Sequence, residues 1–479
     1  MTEQAWEPVN GADAVWLRLE RADNPMVITA MAVTDPMRPA DLRRLIRERF
    51  LTVERFGWTP VNHSGIWLWE PDAEFDLDFH VRHVALPGAA DDAALATLVG
   101  DLMSQPLAEN HPLWQFVLID GYGDRSVIVM RVHHCYADGL SLAALFGAMS
   151  DDAPNVRPLA PRRAAETRPD PGLAVRYHGI RDTLRRALER ITSISGEWSE
   201  KAARLMALAD NGQSPGQVAA AVLAEVAQLL ALPPESPSPL TGQRLSPLKR
   251  VAWSDTIPLT ELKRTARALG GTVNDVLLGG VSAGLADWIG SRGDEAPSRL
   301  TAAMPVNLRP LETAEARASL LEMGNHFGLA LVPLALNAAN PLERLYRVRY
   351  EAERLKRSWQ PALAHIMMSI IGLMPGLRDA ALDLIGQRAS LVLSNVPGAP
   401  RPRYLMGRKV HDVMFWVPQV GRICTGISLI SYCGGLRLGV VTDRNHVPEP
   451  ALLLGHMSQA LSRYGVLASD GWQPARVSR

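Results

Sequence analysis

At 479 residues the chain exceeds what one hydrophobic core usually supports, so two domains are expected. Its content of 47% hydrophobic and 21% charged residues is that of a soluble globular protein, and 50 Lys plus Arg against 50 Asp plus Glu exclude a nucleic-acid partner held by bulk electrostatics. Three cysteines, Cys135, Cys424 and Cys433, are too few for a disulfide framework and lack metal-ligand spacing, so no bound metal is expected.

Residues 1–17 carry no basic flank followed by an apolar stretch, and nowhere do about 18 apolar residues run together. A cytoplasmic protein without a spanning helix is expected. Residues 11–152 read as mixed α/β. Residues 67–69 and 75–79 read as strands, and 94–103 carries helical spacing. Residues 114–119 and 126–132 flank Gly121-Tyr122-Gly123-Asp124, a hairpin signature. The second strand runs straight into His133-His134-Cys135-Tyr136-Ala137-Asp138-Gly139, and an apolar helical pattern over 140–149 follows.

After Asp152 the character changes. Residues 154–171 hold five prolines in an Arg-rich stretch, helical patterns follow over 175–193 and 217–232, and a Pro/Ser cluster covers 233–239. The basic face of Arg181, Arg185, Arg186 and Arg190 is either solvated or laid on anionic lipid. From 250 the α/β pattern returns. A helix over 260–269 stops at Gly270-Gly271, and Thr272 caps the next, with Asp275 in capping-box position. Val276, Leu277, Val281, Leu285 and Trp288 form its buried stripe. Short strands fall around 304–308, 329–334, 390–392, 426–432 and 436–441. The apolar residues 366–373 end at Pro375-Gly376 and are the candidate for membrane contact. The division is therefore an α/β domain over 1–153, a Pro/Arg-rich linker with helices over 154–249, and a second α/β domain over 250–479.

The pattern HHxxxDG at 133–139 carries the chemistry. Adjacent histidines alone are commonly ordinary polar residues, but here a strand ends, a turn carries both rings, and an acid and a glycine precede a helix. The arrangement suits acyl transfer, in which an imidazole takes a proton from a nucleophile attacking a thioester carbonyl. Neighbouring residues of an extended segment point to opposite faces, so the pair is a poor metal site and only one ring is expected to face substrate.

Further blocks stand in order along the chain: Gly11-Ala12-Asp13-Ala14-Val15-Trp16-Leu17, Asn24-Pro25-Met26, Pro112-Leu113-Trp114 and Thr272-Val273-Asn274-Asp275-Val276. They are followed by residues 304–310, Gly324-Asn325-His326-Phe327-Gly328 and Ser394-Asn395-Val396-Pro397-Gly398. Together with the heptad they resemble the bacterial wax ester synthase/diacylglycerol acyltransferase family over almost the whole chain except its middle.

The resemblance implies two chloramphenicol-acetyltransferase-like α/β lobes forming a V around a central channel, joined by the Pro-rich, partly helical linker. It implies an O-acyltransferase moving a fatty acyl group from acyl-CoA, as co-substrate, to diacylglycerol or a long-chain fatty alcohol. No cofactor would be tightly bound. The product would be triacylglycerol or wax ester, made peripherally at a membrane or lipid-body surface. Two alternatives stay open: an acyltransferase using a carrier-protein thioester or a non-lipid acceptor, and an inactive lipid-binding or lipid-body-associated paralogue, which the intact heptad speaks against.

By the same resemblance His134 matches the general base, working without a covalent intermediate, and His133 shapes the turn. Asp138 is then expected to point away from the base and pair with an arginine of the other lobe, for which Arg309 is the candidate, while Gly139 allows a close turn. Asn274, Asp275 and Asn395 are candidates for oxyanion stabilisation or second-lobe support; helix capping or a turn would also explain them. Pro112, Leu113 and Trp114 line the substrate channel or are ordinary core. Cys135, beside His134, is the alternative nucleophile. Val27, Ala108, His111 and Thr241 depart from the family pattern outside the heptad and bear on acceptor choice and pocket shape.

Overall fold

The computed structural model describes residues 6–155, 235–309 and 319–469, apart from 243–244, 357, 359, 375, 377–378 and 380–385. The first part runs β1 (Glu7–Pro8), α1 (Gly11–Leu19), β2 (Val27–Thr34), α2 (Pro39–Leu45), β3 (Trp58–His63), β4 (Ile66–Pro71), α3 (Leu77–His80), β5 (Val81–Ala85), α4 (Asp92–Met103), β6 (Trp114–Tyr122), β7 (Arg125–His133) and α5 (Gly139–Met149). The second runs β8 (Lys249–Trp253), β9 (Ile257–Pro258), α6 (Leu259–Ala268), α7 (Val273–Ser291), β10 (Thr301–Asn307), β11 (Phe327–Pro333), α8 (Pro341–Lys356) and α9 (Gln360–Leu373). It ends with β12 (Leu391–Val396), β13 (Tyr404–Leu405), β14 (Arg408–Trp416), β15 (Thr425–Tyr432), β16 (Gly435–Asp443) and α10 (Pro450–Ser469).

Two large mixed sheets organise these elements. One has the order β13-β14-β2-β7-β6-β5, the other β11-β10-β12-β15-β16-β8 with β9 also on β16, and β1, β4 and β3 form a small third sheet. The hairpin β6–β7 closes through Gly121 and Gly123, both at positive φ. Strand β7 shows no apolar–polar alternation because both its faces are covered. Val127 and Val129 pack with Leu95 and Val99 of α4, whereas Ile128 and Val132 pack with Leu142 and Leu145 of α5. In the second sheet the apolar stripe of α7 meets Leu453, Met457 and Leu461 of α10. The expected capping box is present: Thr272 accepts from the Asp275 N–H at 3.2 Å, and the Asp275 carboxylate accepts from the Thr272 N–H at 2.8 Å.

Sheet membership crosses the division drawn at 250. Strand β14 lies antiparallel to β2, pairing Val413 with Ala32 and Phe415 with Ala30, so the first sheet is completed by the C-terminal half. Two expectations are corrected. Residues 75–79 are not a strand: Asp76 accepts from the Asp78 N–H at 2.9 Å and starts the short helix α3, and β5 begins only after it. Residues 366–373 are not an exposed membrane-contact segment. Ile366, Met367, Met368, Ile370 and Ile371 are buried in the core of α9, which packs between α1 and β11. Among the described residues no helix is long and apolar enough to cross a membrane. The helices expected over 175–193 and 217–232, with Arg181 to Arg190, lie outside the described residues.

Candidate active site

The ladder of β7 carries the chain into the turn. The His133 N–H donates to Leu113 O at 2.9 Å, and the His134 N–H donates to Met26 O at 2.8 Å. Tyr136, fully buried, holds the turn from below: its hydroxyl donates to Trp58 O at 2.5 Å and accepts from the Leu113 N–H at 3.1 Å. The two imidazoles diverge as the extended geometry requires. His133 turns to Glu20, Nε2 to Oε2 at 3.2 Å, and its Nδ1 accepts from the Cys135 N–H at 3.1 Å.

His134 turns to the junction of the two sheets. Its Nδ1 lies 2.9 Å from Oδ1 of Asn325, and its ring lies flat on the Trp16 indole, centroids 3.8 Å apart. Phe327 stands on another side, at 5.7 Å between centroids. Burial drives the imidazole down to about 4; its own backbone carbonyl and the charge of Asp138 only partly offset this. Asn325 is in turn held by Asp13. The backbone N–H and the Nδ2 of Asn325 both reach Asp13 Oδ1 at 2.8 Å, and Nδ2 also donates to His134 O at 2.7 Å. Burial raises the Asp13 carboxyl to about 6 against the hydrogen bonds from Asn325. Gly324, at φ +89°, permits the close approach, because Asp13 stands 3.3 Å from where its Cβ would be.

Asp138 makes no hydrogen bond to the His134 ring. Its Oδ1 accepts from the Ser141 N–H at 2.8 Å and caps α5, while its Oδ2 lies 3.0 Å from both Nη2 of Arg309 and the His326 N–H. The same Nη2 donates to Ser141 Oγ at 2.9 Å and to Gly324 O at 3.1 Å. Arg309 therefore ties the heptad turn to the second half of the chain. Gly139 has an ordinary φ; its need is space, since a Cβ there would meet Val396 at 3.1 Å.

The other expected residues sit elsewhere. Pro112, Leu113 and Trp114 are buried beneath the turn, where the Trp114 indole donates to Phe56 O at 2.7 Å and stacks on His80; they line neither of the two cavities at the heptad. In this position the element packs as core beneath Tyr136 and His133. Asp275 is committed to its capping box, and Asn274 meets Asn395 at 3.5 Å. The Cys135 thiol is fully buried, and burial pushes its pKa well up, which disfavours a thiolate. Asp13, Trp16 and Asn325 were not singled out from the sequence, although all three lie within the glycine-bearing blocks at 11–17 and 324–328.

Two cavities border the heptad. The smaller, about 50 Å³, is lined by His134, Trp16, Pro305, Phe327, Met368 and Val392. The larger, about 470 Å³, lies between α5 and the first sheet and is lined by Gly139, Ala143, Gly147, Met130, Phe415 and Val396 among other apolar groups. Among the described residues Arg403 is the sole charged side chain on its wall, and it is engaged by Ser150 Oγ at 2.8 Å and Gly147 O at 2.7 Å. Among the described residues no cluster of His, Cys, Asp or Glu is placed to hold a metal ion.

The wax ester synthase/diacylglycerol acyltransferase catalytic domain matches residues 9–277, and the C-terminal domain of the same family matches 323–464. A putative diacylglycerol O-acyltransferase of Mycobacterium tuberculosis is 29% identical over 478 residues, covering 93% of this chain and 94% of its own. The O-acyltransferase WSD of Acinetobacter baylyi is 24% identical, covering 97% and 98%. Among solved structures, the wax ester synthase/diacylglycerol acyltransferase of Marinobacter aquaeolei VT8 shares the fold with a TM-score of 0.66 at 20% identity, over 96% of this chain and 100% of that one. The trichothecene 15-O-acetyltransferase TRI3 of Fusarium sporotrichioides follows at 0.61 and 12% identity, over 96% and 95%. The fold is thus the two-lobe acyltransferase architecture that the sequence suggested.

Proposed function

The chain belongs to the wax ester synthase/diacylglycerol acyltransferase family and is an acyltransferase of that type, and from that premise we propose that it moves a fatty acyl group from acyl-CoA to the hydroxyl of diacylglycerol or a long-chain alcohol. The observation that carries the reading is that one heptad borders both cavities, His134 the smaller and Gly139 the larger. The larger, about 470 Å³, is walled almost entirely by apolar groups, as a site for a long acyl chain would be. Its apolar wall favours such a chain by ~0.8 kcal/mol per buried methylene.

His134 is the general base. With Nδ1 engaged by Asn325, Nε2 is the nitrogen left for proton transfer. The acceptor O–H gives its proton to Nε2 while its oxygen bonds to the thioester carbonyl carbon. The tetrahedral species then expels the CoA sulfur, which takes the proton from the imidazolium, leaving ester and free CoA thiol. Burial keeps the ring neutral and so able to accept a proton at working pH. Asp138 and Arg309 hold the turn that aims the ring, and His133 braces it against Glu20. We assign Asn274 and Asn395 to support of the second lobe beside the larger cavity, since Asn395 precedes the lining residues Val396, Pro397 and Gly398. Substrates this apolar reside in bilayers or lipid bodies, so the reaction is placed at such a surface, with peripheral attachment.

Purified protein is assayed with a long-chain acyl-CoA and a panel of fatty alcohols and diacylglycerol, following free thiol and ester mass. Acceptor-dependent thiol release is expected. No release above blank with any acceptor refutes the reading, and transfer only from a carrier-protein thioester replaces the donor.

A further inference from the structure

We infer that Asn325, anchored by Asp13, is the positioning residue that fixes the tautomer of His134, the role a histidine–aspartate pairing within the heptad would give to Asp138. The inference rests on His134 being the base. Asp138 cannot fill that role, because one of its oxygens caps α5 and the other serves Arg309 and the His326 N–H.

The direction of each hydrogen bond follows from what each atom can do. Asn325 Nδ2 lies 2.8 Å from Asp13 Oδ1 and 2.7 Å from the carbonyl oxygen of His134. The backbone carbonyl can only accept. Asp13 Oδ1 already accepts the Asn325 backbone N–H at 2.8 Å, and Oδ2 accepts from the Asn10 amide nitrogen, so both oxygens of the Asp13 carboxylate act as acceptors. Both neighbours of the Asn325 amide nitrogen are therefore acceptors, and a reversed amide would set oxygen against oxygen twice. The Asn325 oxygen must then face His134 Nδ1, at 2.9 Å, and it too can only accept. Nδ1 carries the hydrogen, and Nε2 keeps its lone pair before any substrate arrives. A neutral amide does this without placing a full charge on the ring, so the imidazole is oriented while remaining unprotonated.

The test is ¹⁵N NMR of histidine-labelled, substrate-free protein, with the His134 signals assigned by their loss in His134→Gln. The expected spectrum has a protonated Nδ1 and a bare Nε2. Asn325→Leu is expected to shift His134 toward the Nε2–H tautomer and to lower kcat by about 10- to 100-fold, with KM for acyl-CoA little changed. Asn325→Asp should restore the Nδ1–H tautomer and part of the turnover, because a carboxyl oxygen still accepts from Nδ1 while its single acid hydrogen replaces only one of the amide's two donations. Asp13→Ala, which removes the anchor but leaves the amide, should give a mixture. An Nδ1–H tautomer unchanged in both Asn325→Leu and Asp13→Ala overturns the inference. The spectra need no turnover, so retained activity in His134→Ala would sink the base assignment while leaving the tautomer result standing.

Discussion

The indole of Trp16 lies on the imidazole of His134 with ring centroids 3.8 Å apart and planes 12° from parallel. One face of the imidazole is thereby closed to water by a side chain that is itself buried. The loss of hydration is what holds the ring unprotonated, and it governs how the enzyme should respond to acid.

The activity kcat/KM should hold from neutrality down to about pH 5 and fall around pH 4, well below the ordinary histidine value of about 6.5. The sign is fixed by the lowered value: the ring stays in its base form until pH approaches 4. For stability the same group works against the fold in acid, because below about 6.5 the unfolded chain binds a proton that the folded chain refuses. Asp13 works the other way: its folded value of about 6 lies above 3.8, so its contribution is present in acid and lost as pH rises through 6. Opening the ring face with Trp16→Ala should move the acid limb of the rate profile up toward 6.5. An unmoved limb would show that the stacking does not control the base.

His134→Ala should lower turnover by at least roughly two orders of magnitude, the usual worth of a general base. His133→Ala should cost less, since its ring braces Glu20 and the Cys135 N–H and does not line the small cavity. Steady-state rates of the two purified variants decide this, and equal small losses would contradict the assignment.

Asp138→Ala should destabilise more than Asp138→Asn. The alanine removes both the cap of α5 and the partner of Arg309, whose side chain is only 7% exposed. Breaking one side of so buried a pair costs about 3–5 kcal/mol. Asparagine keeps an acceptor for the Ser141 N–H, although its amide nitrogen can accept from neither Arg309 nor the His326 N–H. Denaturant midpoints of the two variants measure the difference.

Gly147 lies inside α5 and lines the larger cavity, yet nothing stands within 4 Å of where its Cβ would be. A glycine inside a helix costs about 1 kcal/mol relative to alanine, so its smallness here serves the space beside it. Gly147→Leu and Ala143→Leu should shorten the longest acyl-CoA accepted while leaving short-chain rates near normal. A chain-length profile unchanged in both would remove the acyl chain from this cavity.

Legibility in the sequence followed locality. The β6–β7 hairpin, α4, α5 and the capping box of α7 are written in contiguous residues, and each stands where expected. The pairing of Asp138 with Arg309 was expected from the family resemblance and is present at 3.0 Å. What local pattern could not show was which face or partner a segment would find. Residues 366–373 are apolar all round because α9 is enclosed by protein, and the same composition would suit a membrane surface. Phe75 to Phe79 alternate, but the cap at Asp76 outweighs alternation over so short a run. Asn325 reached notice only as part of a block, because its contacts with Asp13 and His134 exist only once three distant segments meet.

The crossing of β14 onto β2 also sets an order of events at the ribosome. At about 5–20 residues per second, roughly 20 to 75 seconds separate the synthesis of β2 from that of β14. Throughout that interval β2, an apolar strand, offers an open hydrogen-bonding edge to any other extended chain. The nascent N-terminal half therefore needs either chaperone cover or temporary shielding by its own chain. A fragment ending near residue 250 should accumulate as aggregate, and supplying residues 404–416 as a separate peptide should return part of it to solution by filling the vacant edge.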